Sequence, residues 1–407
     1  MSKPDGQAAY VAVTAAYWAF MLTDGALRML VLLHFHTLGF SPVQLAYLFV
    51  LYEIAGVVTN LSAGWLALRF GLSATLYVGL ALQIIALLAL TQLDPMWSLA
   101  LSVVFVMCVQ GLSGVAKDLT KMSSKSAVKL LAPSTQGALF RWVAVLTGSK
   151  NAVKGFGFFL GAALLGLFGF EVAILGMAAA LILVLVAVIW RMPDGLPKGL
   201  KGTKFSAVLA TNSAVNRLSL ARVFLFGARD VWFVVGIPIY FYSVWSDGTD
   251  AGNARAFFWI GSFMALWIIL YGAVQAAAPR LLKASPVQSP HALAVLLAAI
   301  PLILAALVFV GADGLTALLV LGLLAFCVLF ALNSSLHSYL ILHFTTQERV
   351  TMDVGFYYMA NSAGRLLGTL LSGVCYQLGG LALCLFSAGV MLLISGFVAR
   401  RLPASAL

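Results

Sequence analysis

The sequence predicts an all-α integral membrane protein with twelve transmembrane helices, and three observations carry that prediction. The first is composition. Of 407 residues, 62% are hydrophobic and only 9% charged, with a mean hydropathy of +1.04. Soluble domains run at roughly 45–50% apolar and about 25% charged. The second is pattern. Apolar runs of about 20 residues recur along the chain, the length that crosses a hydrocarbon core as a helix. They are continuous rather than alternating, which excludes a membrane β-barrel. The third is the placement of charge between the runs, described below.

Taken in order, the twelve predicted span cores are 10–34, 42–68, 72–93, 97–121, 138–167, 171–190, 219–243, 255–277, 291–311, 315–340, 353–378 and 381–399. The first is long and carries Asp24 and Arg28, so it reads as a retained span rather than a cleaved signal. Gly, Pro and Asp mark the breaks, as at Gly39–Pro42, Asp94–Pro95, Gly169–Glu171 and Gly379–Gly380. With the N-terminus inside, the inner segments hold Lys3, Arg69, Lys125, Lys129, Arg191 and most of the other basic residues. The outer loops hold Arg255 among Asp94, Glu171, Asp247, Asp250 and Asp313. That bias places both termini in the cytoplasm and the chain in the cytoplasmic (inner) membrane. It also gives the net charge of +11 a use that needs no nucleic acid. The basic, Gly- and Pro-rich stretch 191–217 divides the chain into an N-terminal six-helix bundle (1–190) and a C-terminal one (218–407).

The halves carry a faint repeat. "NAVKGFGFFLGAALLGLFGF" (151–170) lies over "NSAGRLLGTLLSGVCYQLGG" (361–380), and "FMLTDGALR" (20–28) over "FLFGARDVW" (224–232). A 6 + 6 pseudo-twofold arrangement is the layout of the major facilitator superfamily. The loop "GWLALRFGL" resembles that superfamily's Gly-x-x-x-Asp-Arg-x-Gly-Arg motif at Gly64, Arg69 and Gly71, with Leu68 and Leu72 in place of the acid and the last base. The lost acid removes that loop's inward-gating contacts from what the likeness implies.

Charges inside the spans are the candidate functional groups, because one at mid-span costs about 2.5–3.5 kcal/mol even on lenient scales. Nine cations fall within or at the edge of spans: Arg28, Lys117, Lys121, Arg141, Lys150, Lys154, Arg222, Arg229 and Arg365. Five acids accompany them: Asp24, Glu53, Asp118, Asp230 and Asp353. Four cations are then left for a polar cavity, for an anionic substrate, or for snorkelling to the inner surface, the last reading being open for Arg141, Arg222 and Asp353. Asp24 and Arg28, four apart, are placed for a local ion pair or for proton coupling. Glu53 stands alone in its span and reads as a proton-carrying acid or a neutral hydrogen-bonded carboxyl. Arg229 and Asp230 point about 100° apart, which predicts different partners. Asn151 lies beside Lys150. Asn333 and His337 share a face of span ten, as interhelical contacts or as substrate ligands. Lys117, Lys121, Lys125 and Lys129 form a stripe about 18 Å long. Its outer end belongs at the cytoplasmic surface, and Lys117 lies deepest.

Several classes lack their residues. "GSKNAVKG" does not have nucleotide-loop spacing. The four cysteines lack metal spacing. No catalytic triad or cluster groups together for an enzyme, and no cofactor is implied. The loops are too short for a sensor's soluble domain.

"VTAAYWAFMLTDGALRMLVLLHFHTLGFSP" (13–42), "QGLSGVAKDLTKMSSKSAVKLLAP" (110–133), "LFRWVAVLTGSKNAVKGFGFFLGA" (139–162) and "FLFGARDVWFVVGIP" (224–238) resemble the ArsJ family of organoarsenical efflux permeases over almost the whole chain. The resemblance implies proton-coupled export of 1-arseno-3-phosphoglycerate by alternating access, hence arsenate resistance. It implies functional pairing with glyceraldehyde-3-phosphate dehydrogenase, which makes that compound from arsenate. Membrane lipid and protons are the other partners. The substrate's two anionic ends predict two cationic clusters, Lys117, Lys121, Lys150 and Lys154 in one half and Arg229 with Arg365 in the other. Arg28, Asn151, Asn333 and His337 are further substrate-binding candidates, and Asp24 and Asp230 join Glu53 as proton-coupling candidates. A carrier for another phosphorylated or organic anion is the alternative.

Overall fold

The computed structural model describes residues 3–70, 72–131, 138–191, 212–284, 289–346 and 350–403, with side chains undescribed at 3–10, 63–70, 72, 125–131, 138–148, 283–284 and 350–351. Most of the basic linker (192–211) and the side chains of Lys125, Lys129 and Arg141 therefore lie outside the described residues. The elements are α1 (Lys3–Thr37), α2 (Pro42–Tyr47), α3 (Val50–Phe70), α4 (Leu72–Leu90), α5 (Leu99–Leu131), α6 (Ala138–Arg191), α7 (Ser213–Phe233), α8 (Gly236–Trp245), α9 (Asp250–Ala284), α10 (Pro290–Val310), α11 (Leu315–Phe344) and α12 (Val350–Ala399). All are helical. Ten stretches of the described residues are long and apolar enough to cross a membrane.

The expected spans map onto these helices with four differences, each with a local cause. Spans five and six are one element, α6, broken only at Gly169 (φ 75°, ψ −179°). Spans eleven and twelve are α12, broken at Gly379 and at Gly380 (φ 61°, ψ −157°). Positive φ is a conformation that glycine adopts without steric cost. A straight helix of 43 residues would run about 65 Å, twice the roughly 30 Å hydrocarbon core. Span two divides into α2 and α3 after a tightened turn at Leu48–Phe49, with α2 started by a Ser41/Gln44 capping box and Pro42. Span seven divides at Val234–Val235 into α7 and α8. Pro238 has no N–H for the Val234 carbonyl, and its ring crowds that carbonyl. The amides of Val235 and Gly236, whose helical acceptors would be the carbonyls of Val231 and Trp232, donate to Ser372 Oγ at 3.1 and 3.2 Å.

The exterior is apolar, with Leu167, Phe309, Val310 and Leu378 each more than 70% exposed, a surface suited to lipid. The interior holds aromatic rings, among them Trp232, Trp267, Phe326 and Phe330 in edge and stacked contacts, and a set of buried and half-buried charged side chains.

Glycine brings two helix pairs into backbone contact. On α6, a Cβ added to Gly157 would lie 2.5 Å from the Leu22 carbonyl oxygen of α1. On α12, one added to Gly368 would lie 2.5 Å from the Gly227 carbonyl oxygen of α7. Gly161 meets Ala26 and Gly364 meets Val223 in the same way. These glycines are therefore helix–helix seams, and Lys154 and Arg365 each lie three residues before a seam glycine, Gly157 and Gly368. Gly157→Leu and Gly368→Leu should each push backbone from backbone. A cost at or above the roughly 1–3 kcal/mol of core overpacking is expected, read as a lower thermal midpoint of the purified protein in detergent.

Candidate functional site

α1, α3, α7 and α12 meet around a buried chain of charge. Glu53, fully buried on α3, takes Arg28 Nη1 of α1 at 3.2 Å and Arg365 Nη2 of α12 at 2.6 Å on the same oxygen. Arg365 Nε then lies 3.4 Å from Asp230 Oδ2, and Asp230 Oδ1 takes Arg229 Nη2 at 2.5 Å. Three arginines and two carboxylates thus alternate from α1 to α7 through the interior. Three expectations are corrected here. Glu53 is held between two arginines rather than alone. Arg229 and Asp230 are each other's partner, and Asp230 also faces Arg365. Asp24 does not pair with Arg28: it accepts from Lys154 at 2.9 Å and from the Tyr52 hydroxyl at 2.7 Å. Asp24 meets Lys154 of α6 and Tyr52 of α3, while Arg28 meets Glu53 of α3. Neutralising each charge across an interface outweighs a local pair worth about 0.3–0.5 kcal/mol.

The lysines divide by their partners. Lys121 donates to Asn60 Oδ1 at 2.6 Å and to Asp118 Oδ1 at 3.2 Å, while Thr59 donates to Asp118 Oδ2 at 2.5 Å. Lys154 is neutralised by Asp24. Lys117 differs. It is 8% exposed, has no carboxylate within 4.0 Å among the described residues, and sets its Nζ 4.0 Å over the Tyr52 ring. Its charge acts first on the neighbouring Asp118 and then on Glu53 and Asp24, and it is opposed by Arg365. Lys150 is half-buried on α6, next to Asn151, which donates to Gln275 Oε1 of α9 at 3.0 Å.

Arg365 acts electrostatically on both Lys117 and Lys154, so these cations share one field. Asn333 and His337 are not in it. They lie on α11 beside Arg222, whose guanidinium bonds Asn361 and Ser334. Arg222 is buried at 4% exposure and is not a snorkelling residue. Tyr52, Asn60, Ser362 and Asn361 were missed in the sequence. Their signal was weak: single polar residues within apolar runs, next to or one to two turns from a charged one. Asn60 donates to Ser362 Oγ of α12 at 3.1 Å, a second bridge between α3 and α12 beside the Glu53–Arg365 pair.

Leaving Lys150 aside, seven buried or half-buried cations (Arg28, Lys117, Lys121, Lys154, Arg222, Arg229, Arg365) stand against five buried carboxylates (Asp24, Glu53, Asp118, Asp230 and Asp353, the last accepting from Thr345 Oγ1 at 2.7 Å) among the described residues. The surplus is positive. Removing a paired cation should be costly: Lys154→Ala strands Asp24, and about 3–5 kcal/mol of destabilisation is expected for such a loss. Thermal unfolding in detergent checks this, with Lys154→Ala/Asp24→Asn expected to recover much of the difference.

A multi-pass helical membrane protein with an ionic seam through its interior is the class that these features define, and its fold is one found in solved transporters. The chain is similar to a POT family transporter in complex with a thioalcohol-conjugated peptide, with a TM-score of 0.71 and 15% identity over 95% of this chain and 94% of that one. It is similar to a POT family transporter in complex with 5-aminolevulinic acid, with 0.69 and 16% over 95% and 94%. A structure described in terms of substrate recognition in proton-dependent oligopeptide transporters matches with 0.69 and 13% over 97% and 98%. No protein-family model and no curated protein sequence matches the chain.

Proposed function

We propose that the chain is a secondary transporter, not an enzyme, that moves a small organic anion by alternating access. The observation that carries this reading is Lys117, a buried ammonium without a carboxylate partner beside the Arg28–Glu53–Arg365 chain. A phosphoryl or carboxylate group would complete its charge and compete with Glu53 for Arg365. Protonation of Glu53 would weaken its hold on both arginines, which links a proton to the freeing of the anion site. The fold neighbours, among them proton-dependent oligopeptide transporters, support a coupled carrier. In this reading the glycine breaks of α6 and α12 turn ten long apolar stretches into twelve crossings. Two six-helix bundles of the major facilitator type flank the 191–217 linker, and both termini lie on the cytoplasmic side of the inner membrane.

The finer proposal is that the anion is 1-arseno-3-phosphoglycerate, exported after glyceraldehyde-3-phosphate dehydrogenase has formed it, so that the chain confers arsenate resistance. The sequence resemblance supports this, and the cationic surplus suits a substrate with two anionic ends. Everted vesicles supplied with the dehydrogenase, its substrates and arsenate should accumulate arsenic when a proton gradient is imposed. A strain lacking the gene should become sensitive to arsenate. Uptake of other phosphorylated anions with no arsenic accumulation and no change in sensitivity would favour the second reading, a carrier for a different organic anion.

A further inference from the structure

Below the ionic seam, α7, α9, α11 and α12 enclose a second polar group. Arg222 on α7 is a buried guanidinium without a carboxylate within 4.0 Å among the described residues. Its Nε donates to Asn361 Oδ1 at 3.1 Å, and its Nη1 to the Ser334 carbonyl and hydroxyl at 3.0 and 3.3 Å. The Phe226 ring centroid lies 4.0 Å from its Cζ and that of Tyr357 4.8 Å, which fixes the guanidinium plane. Its Nη2 end has no hydrogen-bond acceptor among the described residues. On the adjoining face of α11, Asn333 and His337 are both 0% exposed. Both polar atoms of the Asn333 amide and both ring nitrogens of His337 lack a partner. Each such buried group left unmet costs about 1–3 kcal/mol. Four on two residues, beside a cation held rigidly by two rings, describe a site prepared for a group that brings its own oxygens.

We propose that Arg222, Asn333 and His337 form a second oxyanion subsite, which takes a terminal phosphate or carboxylate of the transported molecule. The inference rests on the anion-carrier reading above. Arg222 supplies the charge and paired donors that suit a tetrahedral or planar oxyanion. His337 supplies a ring N–H, and the Asn333 amide offers a donor to the anion and an acceptor to a neighbouring hydroxyl. Position supports the pairing with the seam. Arg222 lies seven residues, about 10 Å, from Arg229 along α7, and its partner Asn361 lies one turn from Arg365. An anion with charge at both ends could reach from Lys117 and Arg365 at one end to Arg222 at the other.

Calorimetric titration of the full-length protein in nanodiscs tests this with two probes, 3-phosphoglycerate, charged at both ends, and inorganic phosphate. For His337→Gln and Arg222→Lys we expect an unfolding midpoint near that of the wild type and at least a tenfold weaker 3-phosphoglycerate affinity. Inorganic phosphate should still bind both variants through the Lys117 end, and should still bind Lys117→Gln through the Arg222 end. Wild-type 3-phosphoglycerate affinity in both variants would overturn the subsite while leaving the carrier reading intact. Binding of neither probe by the wild-type protein would overturn both. If Arg222→Lys fails to fold, His337→Gln alone decides. A lower midpoint with unchanged affinity would show that these groups only support the helices.

Discussion

Glu53→Gln should abolish proton-driven transport and destabilise the protein. The substitution keeps shape and an acceptor oxygen but removes the charge that Arg28 and Arg365 share, so two buried guanidiniums lose their common counter-charge. Breaking a buried pair costs about 3–5 kcal/mol, and the loss here falls on two pairs at once. Arg365 keeps Asp230 at 3.4 Å, whereas Arg28 keeps only the faces of Phe49 and Tyr52. The variant resembles a permanently protonated Glu53. Uptake by everted vesicles under a pH gradient should therefore fall to background, while exchange of labelled for unlabelled anion at equal pH should persist. The thermal midpoint should drop, and Glu53→Gln/Arg28→Gln should restore part of it without restoring gradient-driven uptake. Full gradient-driven uptake by Glu53→Gln would remove Glu53 from the coupling mechanism.

Lys117→Gln should do the opposite to stability. Every other cation for which a partner carboxylate is seen lies within 4.0 Å of it, so its removal breaks an ion pair. Lys117 has no carboxylate within 4.0 Å among the described residues; the neighbouring Asp118 attracts it and Arg365 opposes it. Replacing it with a neutral residue of similar length relieves a desolvated, unpartnered charge, and the unfolding midpoint should hold or rise. Anion affinity should fall about tenfold to a hundredfold, the equivalent of one charge-assisted hydrogen bond of about 1.5–3 kcal/mol. Lost binding in a protein at least as stable as the wild type is a combination that a merely structural lysine would not produce. Calorimetric titration alongside thermal unfolding reads both quantities from one preparation.

The helices were legible in the sequence because the lipid-facing run is long, continuous and apolar, and the breaks at Gly169 and Gly379–Gly380 were legible because glycine marks them. The split of span seven was in principle readable at Pro238, but a proline inside an apolar run also occurs in unbroken helices: Pro301 lies within α10. The candidate charges were legible one by one, since an ionisable group in a span is exceptional. Their partners were not. Three of the pairs that form lie 25, 130 and 312 residues apart, and which charges meet depends on how each helix is rotated about its axis. That rotation is set by close packing such as Gly157 on Leu22, which apolar sequence encodes only diffusely. The same reason hid Arg222. Spacing from the predicted membrane edge suggested a snorkelling side chain, while ring stacking and Ser334 draw it inward.

One turn of α12 has a consequence for kinetics. Asn361, Ser362 and Arg365 hold Arg222 of α7, Asn60 of α3, and both Glu53 and Asp230. They span less than two turns of a single helix, which moves as one body. A twist or slide of α12 large enough to free Arg365 therefore strains the other contacts in the same stroke. The latch has no half-open notch, and the conformational change should register as one relaxation with a single, steep temperature dependence rather than as a staircase of small steps.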